Sequence, residues 1–206
     1  MGRDGFHHGL LGSEPGGIDR QEWIAEIEVD FTVNELAQAV RGVLKGNGNM
    51  LERILDRRPL YAAPELAELR ELARKNLSQR AHAHYRGFAH SQREAVDLAA
   101  PQAKKVLYVL RTTVTGAHLL ETGELVPDLS ALYRRYDFPE VPELIARKRE
   151  AGRGVLPAEW IERVPALLDR AFARLEQARE RSKLPEQPPA AEALERWLVD
   201  YRIAGS

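Results

Sequence analysis

Residues 22–46 read EWIAEIEVDFTVNELAQAVRGVLKG, and the hydrophobic period changes partway along them. Trp23, Ala25, Ile27, Val29 and Phe31 alternate with Ile24, Glu26, Glu28 and Asp30, the period-two pattern of a half-buried strand. Thr32-Val-Asn-Glu35 then has the form of a capping box. Val33, Leu36, Ala37, Val40, Val43 and Leu44 follow on one face of a helix that Gly46 ends. This is the one convincing strand in the chain. A lone strand leaves backbone donors and acceptors without partners, so either the first residues supply a neighbour or the rest of its sheet lies before Met1.

Downstream of this stretch the period stays helical. Asn49 with Glu52 reads as a second cap, opening a short helix. From residue 64 onward the breaks fall at Pro101, Pro127, Pro139, Pro157 and the PEQPP segment at 185–189, giving about seven helices in all. Trp160, Ile161, Val164, Leu167, Leu168, Ala171, Phe172 and Leu175 recur at three- and four-residue steps as a core-facing stripe. Pro165 is expected to kink that helix or mark its true start. Upstream, residues 1–20 are Gly-rich and interrupted by Pro15, which reads as an irregular or docking segment. The expected fold is therefore mostly α, with an α+β remnant of one or two amino-terminal strands before the helical array.

Composition narrows the function classes. A chain of 206 residues with 44% hydrophobic side chains can bury one substantial core. Thirty Lys and Arg against 31 Asp and Glu leave a formal charge of −1, so any site for an anion must be a local patch. The absence of cysteine excludes disulfides and thiolate zinc sites and fits a reducing compartment, so a cytoplasmic location is expected. No apolar run approaches the roughly 20 residues that span a bilayer.

Lys104, Tyr108, Arg111, Thr115 and His118 form one polar stripe along a helix whose other side holds Val106, Leu107, Leu110, Val114 and Ala117. A lysine supplies a mobile point charge and an arginine a planar fork for phosphate oxygens, so Lys104, Arg111 and His118 are expected to line an accessible groove. The alternative is a solvated helix face. His82, His84 and His90 suggest a metal at first sight, but His82 and His84 point about 200° apart on a helix. Tyr85, Phe88 and Ala89 are expected to pack inward, with Arg80, Arg86 and Arg93 facing phosphate or water. Lys45-Gly-Asn-Gly-Asn49 lacks P-loop spacing and reads as a helix end and cap. Glu121 and Glu124 either reach His118 or face water, and His7-His8 form the weakest candidate.

Four stretches in order, DFTVNELAQAVRGVLKGNGNMLE (30–52), HAHYRGFAHSQ (82–92), KKVLYVLRTTVTGAHLLETGEL (104–125) and SKLPEQPPAAEALERWLVDYR (182–202), resemble the nucleotidyltransferases of the DNA polymerase β superfamily, in the branch associated with RNA repair. The resemblance implies two-metal transfer of a nucleoside monophosphate from a nucleoside triphosphate to a hydroxyl, with Mg²⁺ as cofactor and RNA as acceptor. It implies a third metal-binding carboxylate at Asp30 and phosphate contacts at Lys104, Tyr108, Arg111 and His118, with Tyr108 standing where the family often has histidine. The family's Gly-Ser turn before a D-x-D strand has no counterpart: Gly12-Ser13 is followed by Glu14-Pro15 and a lone Asp19, and GLLGSEP is more similar to the linker after that strand. The main catalytic segment is therefore expected upstream or on a partner. On this reading residues 1–32 are a remnant of the nucleotidyltransferase sheet and its linker, and residues 33–206 are a helical substrate-binding domain. The alternative is a catalytically inactive nucleotide- or RNA-binding module acting with a partner.

Overall fold

The computed structural model describes residues 18–56, 59, 61–151 and 154–204. The expected strand is one arm of a hairpin: β1 (Ile18–Ile24) runs antiparallel to β2 (Ile27–Val33), with Ile18 opposite Val33 and Ile24 opposite Ile27. Ala25, at φ 54°, makes the turn. A turn inside the period-two run changes its meaning. Trp23 lies opposite Glu28 and shares a face with Glu28 and Asp30, while Ile24, Ile27, Val29 and Phe31 take the other face. No hairpin residue enters the core, and Trp23 and Ile27 are 68% and 67% exposed.

Nine helices follow among the described residues. Helix α1 (Leu36–Leu44) is capped by Glu35 in place of Thr32, because Thr32 is engaged in the ladder opposite Asp19. The Glu35 carboxylate accepts from the Ala37 and Gln38 amides at 2.7 and 3.2 Å. Gly46 leaves the helix at φ +69°, and a β-carbon there would lie 2.5 Å from the Ala81 amide nitrogen, so both conformation and space demand glycine. The cap of α2 (Gly48–Leu55) is Asn47, two residues before the expected Asn49, with its side chain accepting from Met50 N–H at 3.2 Å.

The body is built round α5 (Ala103–Thr122), which packs chiefly between α4 (Arg80–Glu94) and α8 (Glu159–Glu180). From Val109 to Leu120 every α5 residue except Arg111 is buried. A helix enclosed this way satisfies its own polar side chains: the Thr112 and Thr113 hydroxyls donate to the Tyr108 and Val109 carbonyls at 2.9 Å. The remaining helices are α3 (Leu66–Lys75), the single turn α6 (Leu129–Leu132), α7 (Val141–Ala151) and α9 (Ala191–Ala204). One turn like α6 is too short to show a period, which is one reason the expected number fell below nine.

Helix α8 buries Trp160, Val164, Leu167, Leu168, Ala171 and Leu175 as the stripe predicts. It runs unbroken through Pro165, which neither starts nor divides it. The carbonyl that Pro165 leaves without its helical donor belongs to Ile161, at the solvent edge with 38% exposure. The chain end returns to its beginning. Arg202 of α9 pairs with the other Glu35 oxygen, and Asn76 exchanges two 3.1 Å hydrogen bonds with the backbone of Ala190.

Candidate functional site

The polar stripe of α5 divides where the helix enters the core. Its first half stays open: Lys104, Tyr108 and Arg111 line a concavity of about 290 Å³, walled by Pro127, Leu129 and Lys148 among others. Tyr108 is 42% exposed, and the Arg111 guanidinium lies 5.8 Å from its ring centroid. Lysine, arginine and a second lysine thus meet round one hollow, held on rigid helices α5 and α7. Asp128 on its rim is occupied as the cap of α6, accepting from Ser130 N–H at 2.9 Å.

Arg111 is tied at one nitrogen. Its Nη1 lies 3.0 Å from Glu52 Oε2, and the Tyr85 hydroxyl donates to Glu52 Oε1 at 3.3 Å. Burial first, and then the Glu52 charge, push the Tyr85 pKa well above its ordinary value, so the phenol stays a donor. Glu52 therefore bridges two helices and orients the groove's arginine. Sequence reasoning placed it in a cap.

His118 does not join this groove. It is 5% exposed, with Nδ1 3.0 Å from the Tyr136 hydroxyl, and the expectation that it is accessible fails because α5 is enclosed at that level. Tyr136 donates to Glu121 Oε2 at 3.2 Å, and Arg174 reaches Glu121 Oε1 at 2.9 Å. With the single phenol proton given to Glu121, His118 carries its proton on Nδ1 and donates it. Burial, followed by the Arg135 charge, lowers the His118 pKa. Burial and Glu121 push Tyr136 up to about 12. Thr115 is also buried, so the distal half of the stripe is internal structure.

Asp30 lies mid-strand in β2, exposed, opposite Gln21, whose amide is held by Glu28. It is not part of the groove lining, and among the described residues no three His, Asp or Glu side chains gather as a metal site. The carboxylates of the described residues do not converge to fit a pair of Mg²⁺ ions.

The histidines of α4 have separate surroundings and do not converge. His82 is buried with Nε2 3.1 Å from Glu176, His84 stacks on Phe88, and His90 faces Glu94 at 3.6 Å. Burial lowers the pKa of both His82 and His84. Arg80, Arg86 and Arg93 each have a partner within the protein. They donate to the Leu44 carbonyl, Glu176 and Asp169 at 2.9, 2.9 and 2.7 Å. Tyr85 and Ala89 pack inward and Phe88 only partly. His7-His8 and Gly12-Ser13 lie outside the described residues. Lys148 was missed because it sits in an undifferentiated charged run, ARKRE (146–150).

Comparison with known proteins bears on this geometry. A family model described as RNA repair pathway DNA polymerase beta family matches residues 11–200. An uncharacterized protein of Methanocaldococcus jannaschii is 29% identical over 103 residues, covering 50% of this chain and 42% of that protein. The match thus spans under half of the relative's length. No solved structure matches the chain.

Proposed function

Because the chain belongs to the RNA repair pathway DNA polymerase beta family, we propose that it serves nucleotidyl transfer, the movement of a nucleoside monophosphate from a nucleoside triphosphate to a hydroxyl on RNA. Residues 33–206 supply the substrate-binding body, and residues 1–32 belong to the catalytic sheet and its linker. The observation that carries the reading is the meeting of Lys104, Arg111 and Lys148 beside Tyr108 in one hollow. Arg111, pinned at Nη1, has further N–H donors on its planar fork to aim at phosphate oxygens, and the two lysines add mobile charge. Tyr108, 42% exposed, borders the same space.

Family membership implies Mg²⁺, which when bound as a pair stabilises the attacking and leaving oxygens. No step is assigned to it through these residues, since Asp30 has no convergent partners. The sequence contains no Asp-x-Asp, so the main carboxylates are proposed to come from an adjoining segment or a partner. The same observation favours a second reading, a catalytically inactive module that binds nucleotide or RNA for a partner.

The test is a thermal melt with and without nucleoside triphosphate. Ligand at a hundred times Kd stabilises the native state by about 2.7 kcal/mol, roughly 5 to 10 °C for a chain of this size. Arg111→Ala should remove most of the shift. Equal shifts in wild type and variant would place the binding elsewhere and defeat the reading.

A further inference from the structure

A second concavity, of about 350 Å³, opens between residues 135–138 and the outer side of α8. Arg135, Arg170 and Arg174 line it, and Asp137 is the one carboxylate in its lining. The wall is shaped by backbone. Asp137, at φ 58°, reverses the chain, and Phe138 N–H returns to the Tyr133 carbonyl at 2.9 Å, which sends Phe138 into the core and leaves Arg135 and Asp137 outside.

Two of the arginines are already oriented. Arg170 Nη2 lies 2.7 and 2.8 Å from the two oxygens of Glu140, and its guanidinium is 5.2 Å from the Phe138 ring centroid. Arg174 Nη2 holds Glu121, and that guanidinium is 5.0 Å from the Tyr136 ring centroid. In each case the carboxylate occupies Nη2, Arg174 Nη1 also donates to Gln177 Oε1 at 3.4 Å, and a guanidinium has five N–H donors to distribute. Arg135 rests 5.9 Å from the Tyr136 ring centroid and has no ion pair among the described residues. Tyr136 and Phe138, at 4% and 0% exposure, offer no free face for a base to stack on. Planar forks held in place suit the oxygens of a phosphate, and the buried rings give a base nothing to stack on.

We propose that this hollow binds the phosphodiester backbone of single-stranded RNA without regard to sequence, with Arg135 as its uncommitted contact. The choice of RNA rests on the function proposed above; the site itself is separate from the triphosphate groove. Asp137 opposes the ligand's charge, so the two neighbours should act in opposite directions.

The experiment is anisotropy of a short labelled single-stranded RNA with the 206-residue chain over a range of salt. Arg135→Ala should weaken binding severalfold and make the log-log salt dependence shallower by about 0.7, the contribution of one phosphate contact on a single strand. Asp137→Asn should tighten it, because asparagine also accepts the left-handed conformation and the wall keeps its shape. Circular dichroism and melting confirm that both variants fold. Failure of wild type to bind RNA at low salt, unchanged affinity and slope in Arg135→Ala, or equal displacement by polyglutamate would each overturn the proposal. Retained Arg135-dependent RNA binding without any triphosphate-induced melting shift would defeat the groove reading while leaving this one standing.

Discussion

Glu52 sets the charge that any ligand of the groove encounters, because its carboxylate already satisfies Arg111 at 3.0 Å. Glu52→Gln can keep its one oxygen for Arg111 and turn its NH2 to the Tyr85 hydroxyl, which then accepts, while the competing charge is removed. Stability should fall by about 1 kcal/mol, the worth of a partly exposed charge-assisted hydrogen bond, while triphosphate binds more tightly. Urea unfolding and calorimetric titration check the two halves. Weaker binding, as in Arg111→Ala, would mean that orientation outweighs competition. The stripe from Lys104 to Arg111 was legible because helical spacing alone brings those side chains together. The Glu52 partner, 59 residues away, was not, since the register between α2 and α5 is written in no local pattern. Burial also governs a pH response. His82, His84 and His118 are held below the ordinary imidazole value, so the unfolded chain binds more protons than the native one just below pH 6.5. Their contribution is fully present above that pH and is lost as pH falls through 6.5 toward the native values. The expected slope is at most about 1.4 kcal/mol per pH unit for each histidine. Melting temperature should drop between pH 7.5 and 5.5, and His118→Gln should flatten part of that drop.

Helices meet here through glycine as much as through leucine. A β-carbon on Gly116 of α5 would stand 2.7 Å from Cβ and Cγ of Tyr85, at the closest approach of α4 and α5, with Leu175 of α8 at 3.0 Å. Gly87 of α4 has nothing within 4 Å of the same construction. Gly116→Ala should therefore cost about 1 to 3 kcal/mol through overpacking, and Gly87→Ala should gain up to about 1 kcal/mol of helix propensity. Chemical denaturation of the two single variants measures both, and a gain at Gly116 would mean the α4–α5 interface has slack. Periodicity revealed α5 and α8 as helices but not that α5 lies at the centre. An enclosed helix with threonines bonding back to its own carbonyls looks half-polar in sequence. The capping box at Thr32 failed for a related reason, since a motif of four residues cannot register that its first member is taken by a strand partner. The place of the hairpin turn was hidden because its positive-φ residue is alanine, where such turns ordinarily carry Gly, Asn or Asp as their signal.

At the scale of the molecule, the proposed binding groove and the proposed metal carboxylate lie on different parts of the fold. The groove is formed within the helical body, whereas Asp30 stands on a hairpin outside the core. We expect the 206-residue chain by itself to show no appreciable nucleotidyl transfer, because Asp30 has no convergent carboxylates among the described residues and alone cannot position two Mg²⁺ ions about 4 Å apart. Addition of a segment or partner bearing a Gly-Ser turn and D-x-D strand should give incorporation of labelled nucleotide, and Asp30→Asn should then abolish it. Robust incorporation by the chain alone, unaffected at Asp30, would sink this assignment. The described helices include none long and apolar enough to cross a membrane. The pairing of Arg202 with the cap of α1 carries a consequence for biosynthesis. Its two residues are 167 positions apart, and at translation rates of 5 to 20 residues per second the ribosome needs roughly 8 to 33 seconds to make the second after the first. During that interval α1 lacks the ion pair that ties it to α9, and the two helices become one unit only once Arg202 has been made.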